Sequence, residues 1–361
     1  MSKYPFDELE MEIVERVPNR ARPEDAGKPV YHYPVSAKEA IFSLYRKQGL
    51  WMPNTSEIGI FCPAVIPDDI ARGFVFEELK MPIEEYGGKD MFGVEWVFVP
   101  VVGGSMEKPG VPHLFHDANE WKDKIVWPDI YAWDWDESGR SNQKFLDNGK
   151  ANFLWILNGA WFERLISFMG FEDAAVAMID EEQEDAVKEL FAQTTDLYCK
   201  IIDLCCDAYG ENLAGFTVHD DWGSQRAPFF SFDAGREMIV PYMKQLTDHI
   251  KARGKLADLH SCGHLEAQIQ NFIDGGWESW TPMPMNDTKK LYKEYGDKII
   301  LGIVDDPLPE GATAQQQADQ AAAFAEEYYA PDKPSQVSLY GGAVLTDAYC
   351  DSLYRTTRKM C

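Results

Sequence analysis

From about residue 150 onward, apolar residues gather in short runs, each followed by a longer stretch in which they recur every three or four positions. A short apolar run bounded by turn residues predicts a buried strand, and the three-to-four spacing predicts an amphipathic helix. Strands are therefore expected at 151–159 (ANFLWILNG), 214–219 (AGFTVH), 255–260 (KLADLH), 277–281, 298–304 (KIILGIV) and 336–341 (QVSLYG). Helices are expected from WFERLISFMG and over 182–209, 233–253, 264–274, 287–295, 312–329 and 347–358, with glycine stops at Gly254 and Gly275-Gly276. Within 182–209, Ala186, Leu190, Leu197, Ile201 and Leu204 share one face.

Residues 1–150 have a different character, rich in proline, glycine and aromatics, as in YHYPVSAKEA, LWMPNTSEIGIF and VPVVGGSMEKPGVPHL. Only 36–48 predicts a helix there. Strands are expected at 57–62 and 92–100, where Phe92, Val94, Trp96 and Phe98 alternate with Gly93, Glu95, Val97 and Val99. Short strands alternating with helices are the signature of βα units on a parallel sheet. Five or six such units after residue 150, with two or three strands upstream, predict an α/β fold, a closed (β/α)8 TIM barrel. The whole chain, 1–361, is read as a single barrel domain: residues 1–150 supply an irregular N-terminal elaboration near the mouth and the first strands, and 151–361 the main run. No Gly-x-Gly-x-x-Gly or Walker motif supports a doubly wound sheet, and no fixed-period repeat supports a solenoid.

Charge narrows the partners. Lys plus Arg number 34 against 60 for Asp plus Glu, a formal net charge of −26, so phosphate backbones and anionic membrane surfaces are repelled and no nucleic acid is expected. With 45% hydrophobic and 26% charged residues the chain reads as soluble and globular. No window approaches 18 apolar residues, and MSKYPFDELE lacks the basic start and apolar core of a leader, so no membrane span and a cytoplasmic location are expected. Seven cysteines, an odd number without framework spacing, are expected as thiols.

In a barrel the working groups sit at the carboxyl ends of strands. Three ends are chemically loaded: VHDDWGSQ with His219, Asp220, Asp221 and Gln225, LHSCGH with His260, Cys262 and His264, and YGGAVLTDAYC with Asp347 and Cys350. His260 and Cys262 are two apart, so a strand places both on one face. An imidazole and a thiolate converging there make half of a zinc site, which takes three protein ligands and an open position when catalytic. Cys350 is the candidate third ligand, and an Asp of the 220–221 pair is the alternative. The bland reading is a small buried thiol beside a hydrogen-bonded histidine. Asp220-Asp221 point to cation binding, to a raised pKa on one of them, or to capping of the next helix, and Asp305-Asp306-Pro307 pose the same choice. Cys205-Cys206 are read as helix packing, the 11 tryptophans mostly as core or cleft wall, and His113 and His116 as surface. No His-x-His occurs, which disfavours an amidohydrolase-type metal site.

The run GFTVHDDWGSQ, then a helix, then GKLADLHSCGHLEAQIQNFIDGGWESWTPM and YGDKIILGIVDD resembles the uroporphyrinogen decarboxylase superfamily, in particular its branch of corrinoid-dependent methyltransferases. The likeness spans about residues 150–350 in order and spacing. It implies a (β/α)8 barrel, in agreement with the count of βα units. Decarboxylases of that superfamily carry an arginine-bearing stretch of the type R-Q-A-G-R that clamps substrate carboxylates. Here YRKQGLW offers Arg46, Gln48 and Gly49 without a second arginine, so haem-pathway decarboxylation is not implied. The methyl-transferring branch holds zinc on a His-x-Cys pair and a later cysteine, with an acidic residue nearby. Carried over, His260 and Cys262 match directly, and Cys350, nine residues after Gly341, matches approximately. The resemblance thus implies a methyltransferase that moves a methyl group between a small methylated substrate, or a tetrahydrofolate or thiol acceptor, and a corrinoid (cobalamin-type) carried by a partner protein. His219, Asp220, Asp221, Gln225 and His260 would surround the chemistry. A metal-free lyase on the same barrel and a non-catalytic corrinoid- or substrate-binding module are the alternatives.

Overall fold

The apolar runs become seven short strands: β1 Ile58–Phe61, β2 Ala151–Ile156, β3 Leu213–His219, β4 Leu256–His260, β5 Ser279–Trp280, β6 Ile300–Ile303 and β7 Gln336–Val337. These belong to a computed structural model that describes residues 4–19, 22, 24–101 and 103–361. The first three positions of the N-terminal stretch, and position 102 of the Pro- and Gly-rich stretch, lie outside the described residues. The strands stand in sheet order β1-β2-β3-β4-β5-β6-β7, and the pairs β2/β3, β3/β4, β5/β6 and β6/β7 are parallel. The fold is mixed α/β with a barrel-like parallel sheet.

The chain divides into two compact units, one built from the chain up to Gly59, from Gly149–Ala151 and from Glu278–Cys361, the other from Ile60–Asn148 and Asn152–Trp277. In the second unit, β3 is buried at all of its positions, as expected for a parallel strand covered on both faces. The helix Glu184–Tyr209 buries Ala186, Leu190, Leu197, Ile201, Cys205 and Cys206 and leaves Leu204 half-buried, so all but the last member of the apolar stripe read from sequence lies on its packing face, and the paired cysteines lie in the core. The first unit carries β5, β6 and β7, the helices Thr288–Tyr295, Ala314–Tyr328 and Asp347–Lys359, and an antiparallel pair, Ile13–Val17 with Lys28–Tyr31.

The expected closed eight-stranded barrel is corrected on two counts. Among the described residues seven strands, not eight, make the parallel sheet, and their order has two ends, β1 and β7. The expected strand 92–100 exists as Glu95–Val99, but it pairs antiparallel with Gly87–Lys89 and Gly104–Glu107 in a separate three-stranded sheet. Its alternation is the reason: Trp96 is buried while Val97 is exposed, the pattern of a sheet with one wet face. Phe92 and Val94 instead belong to a turn in which Asp90 Oδ1 accepts both backbone N–H groups at 3.0 Å. The expected strand 336–341 stops at Val337, because Ser338 caps a 3-10 helix, Leu339–Val344. The expected helix 233–253 divides into Phe232–Met238 and Val240–Ala252, since Pro241 has no N–H to continue a helix and fits only a first turn.

Candidate functional site

β3 and β4 run in parallel with His219 in register with His260, so the strand ends present two imidazoles side by side, ring centroids 5.0 Å apart. Two residues beyond each histidine, the chain supplies Asp221 and Cys262. Asp221 Oδ1 stands 2.9 Å from His219 Nε2 and accepts the backbone N–H of Cys262 at 2.7 Å. Cys262 Sγ lies 3.6 Å from His260 Nε2. One ligand atom from each of His219, Asp221, His260 and Cys262 falls within 4.8 Å of all the others.

The loops that carry these groups are pinned backbone to backbone. Gly263 has φ +109°, and a Cβ there would sit 2.4 Å from the carbonyl carbon of Gly223, so the HSCG segment closes on the DDWG segment only because it ends in glycine. Ser261 Oγ donates to the carbonyl of Asp220 at 2.7 Å and accepts the N–H of Trp222 at 3.2 Å.

Asp220 faces away from the four-residue cluster. Its carboxylate accepts the backbone N–H groups of Trp161, Phe162 and Glu163 at 3.1, 3.3 and 3.2 Å and the indole N–H of Trp222 at 2.7 Å. These are the orphan donors at the start of the helix Phe162–Met169, whose own N-cap residue, Trp161, offers no side-chain cap. Burial, then the charge of Glu163, push the Asp220 carboxyl up to about 7. Gly159 makes room for it: at φ +66° a Cβ would meet Asp220 Oδ1 at 2.5 Å.

A fifth group, the carboxylate of Glu163, joins the site from that helix. Its Oε1 accepts Arg72 Nη1 at 2.7 Å, and the same Arg72 nitrogen donates to Asn158 Oδ1 at 2.7 Å. Its Oε2 lies 3.2 Å from His219 Nδ1 without the alignment of a hydrogen bond, and both atoms are buried with no hydrogen-bond partner among the described residues. Sequence reading missed Glu163, which looks like any acid in the first turn of an amphipathic helix. Its one signal is that it follows the carboxyl end of β2.

Burial disfavours charge on His219, yet the carboxylates of Asp221 and Glu163 outweigh it and hold the imidazolium well above the usual histidine range. Burial and the charge of His219 push His260 the other way, to about 3. Burial would raise Asp221, but His219 draws it well below the ordinary carboxylate range. Burial raises the Cys262 thiol.

The other sequence candidates stand elsewhere. Gln225 is exposed on the loop closed by the Gly223–Pro228 bridge. His264 contacts the carbonyl of Arg226 at 3.1 Å and Glu266 at 3.4 Å. Cys350 belongs to the other unit, buried in the helix Asp347–Lys359, where burial drives its thiol far up. Asp347 pairs with Arg16 at 2.8 Å, and Asp305 accepts Tyr349 Oη at 2.8 Å and Gln320 at 3.1 Å.

The four-residue cluster fits zinc. Two imidazoles, a carboxylate and a thiol are a borderline-soft donor set. Tetrahedral geometry with Zn–S of about 2.3 Å and Zn–N of about 2.0–2.1 Å sets the two ligand atoms about 3.6 Å apart, the separation between Cys262 Sγ and His260 Nε2. Glu163 behind His219 has the place of the carboxylate that commonly orients a metal-bound histidine.

No protein-family model matches the chain, and no curated protein matches it. Among solved structures, a methyltransferase from Methanosarcina mazei superposes with a TM-score of 0.58 at 13% identity, covering 90% of this chain and 98% of that one. A likeness at that identity is one of fold. A structure of Dispersin B gives a TM-score of 0.32 at 9% identity over 89% of this chain and 94% of that one, which carries no argument.

Proposed function

We propose that the chain is a methyltransferase of a corrinoid-dependent system, with zinc held by His219, Asp221, His260 and Cys262. The observation that carries this reading is the convergence of four ligand atoms within 4.8 Å at the carboxyl ends of neighbouring parallel strands. The fold likeness to a methyltransferase supports it. Zinc, when bound, would supply Lewis acidity that keeps a sulfur nucleophile deprotonated at neutral pH.

The protein groups then divide the remaining work. His260, buried, and Cys262, half-buried, hold the fixed end of the site. The Asp221 side chain is more open than that of His219, 28% exposed against 8%, and so lies nearer an incoming acceptor, whose thiol proton leaves to water. The acceptor sulfur forms a bond to the methyl carbon as the carbon–cobalt bond of a partner-borne methyl corrinoid breaks, its electron pair staying on cobalt. Trp155, its ring 5.5 Å from that of His260, gives this end of the site an apolar wall.

A second reading has one specific observation in its favour. His219, held cationic between Asp221 and Glu163, carries at neutral pH a proton that a metal-free lyase would use as its general acid. Metal analysis of the purified protein, joined to an absorbance assay of methyl-Co(III) corrinoid conversion to Co(I) with small thiols or tetrahydrofolate as acceptors, separates the two. The methyltransferase reading expects one zinc per chain and conversion with at least one acceptor. It also expects Cys262→Ala to lose the zinc and at least about 100-fold in rate while keeping its fold, in line with removal of a metal or its ligand. A metal-free protein, or one inert toward methyl corrinoid with every acceptor, overturns it.

A further inference from the structure

Two buried polar atoms face each other at the edge of the cluster with no hydrogen-bond partner among the described residues: Glu163 Oε2 and His219 Nδ1, 3.2 Å apart. Leaving a buried polar atom unsatisfied is costly, and more so for a charged group, so their apposition calls for an account. The other oxygen of Glu163 is taken by Arg72, itself held by Asn158 and packed over the Trp96 ring at 5.1 Å. Asn158, at φ +66°, precedes a Gly159 whose added Cβ would lie 2.7 Å from that of Glu163. The carboxylate is thus clamped from behind, with its second oxygen 3.2 Å from one ring nitrogen.

We infer that Glu163 is a positioning residue which accepts the Nδ1 proton of His219 and so leaves Nε2, the nitrogen facing Asp221 and the cluster, free as a ligand. This rests on the zinc reading above. A histidine carries one proton when it binds a metal, and whichever nitrogen keeps it cannot ligate. A carboxylate behind the ring decides which. Arg72 does not touch the imidazole, but it decides which oxygen of residue 163 does.

The last point makes the assignment testable by rescue. In Glu163→Gln the single amide oxygen stays on the Arg72 guanidinium, which can only donate, so the amide NH2 turns toward His219 Nδ1. That ring must then accept there and carry its proton on Nε2, where it blocks ligation. Zinc affinity, measured on metal-free protein by competition with a chromogenic chelator, should fall about 10–100-fold. The thermal midpoint of the metal-free variant reports its folding separately. Adding Arg72→Met to Glu163→Gln frees the amide to rotate its oxygen toward Nδ1, and the double variant should regain most of the lost affinity. Wild-type protein that binds no zinc overturns the zinc reading and this assignment with it. Wild-type protein that binds zinc while Glu163→Gln binds it equally well, or a double variant weaker than the single one, overturns this assignment alone.

Discussion

Glu57 is 2% exposed, and its carboxylate accepts Tyr33 Oη at 2.8 Å, Trp51 Nε1 at 3.3 Å, the N–H of Asn54 at 3.0 Å and Ser56 Oγ at 3.3 Å. Burial outweighs these donors and raises its pKa. In the pH range between the unfolded and the folded value, the native state therefore binds more protons than the unfolded chain, and unfolding free energy falls as pH rises. This contribution is complete below the unfolded value, about 4.3, and lost as pH climbs through the folded one. Glu57→Gln removes that slope. Urea unfolding at pH 4, 5.5 and 7 should show the wild type losing ground to the variant as pH rises, and a constant gap would refute the account. At this same scale, period-two spacing was enough to put His260 and Cys262 on one face. Glu163 and Arg72 left no such trace, because their contact joins residues 91 positions apart and exists only once two helices have packed.

The helix Phe162–Met169 shows how one element can serve the core and the site together. Its Arg164, 1% exposed, donates to Asp90 Oδ2 at 2.9 Å and Tyr198 Oη at 3.0 Å, and also pairs with Asp68. The guanidinium lies over the Phe92 ring at 4.9 Å. Burial opposes its charge, and the surrounding acids restore it. Removing one partner of such a group leaves carboxylates stranded in the core, so Arg164→Met should cost about 3–5 kcal/mol in denaturant unfolding. The triple variant Asp68→Asn, Asp90→Asn, Arg164→Met should recover part of it. Since Glu163 is the preceding residue of this helix, zinc affinity should weaken along with stability in the single variant, and an unchanged affinity would show that the two faces of the helix are independent. The helices here were readable from apolar spacing and glycine stops, whereas their breaks followed local chemistry that spacing does not encode, as at Pro241.

At the scale of the whole molecule, a charge of −26 repels itself in the folded chain more than in the unfolded one. Salt shortens the reach of that repulsion, to about 8 Å near 0.15 M. Raising ionic strength from about 10 mM to 150 mM should therefore raise the thermal midpoint, each kcal/mol of relieved repulsion being worth roughly 1–2 °C in a chain of this length. A midpoint that falls with salt would mean that surface ion pairs outweigh the net charge. No helix among the described residues is long and apolar enough to cross a membrane.

The local pattern of the chain was sufficient for the class of fold, because burial on both faces leaves an apolar run and a helix leaves a stripe, and both signals are contained within a few residues. It was likewise sufficient to bring His219 and His260 to the ends of strands. Which strands pair, and in what direction, was settled only by contacts distant in sequence. The Glu95–Val99 strand has the apolar content of a barrel strand, yet it lies in an antiparallel sheet because its neighbours in space are hairpin partners. The same holds for the two acids of the DDWG loop, adjacent in sequence and alike in chemistry. Asp221 reaches His219 and the backbone of Cys262, while Asp220, one residue earlier, points the other way and caps a helix that begins some sixty positions upstream.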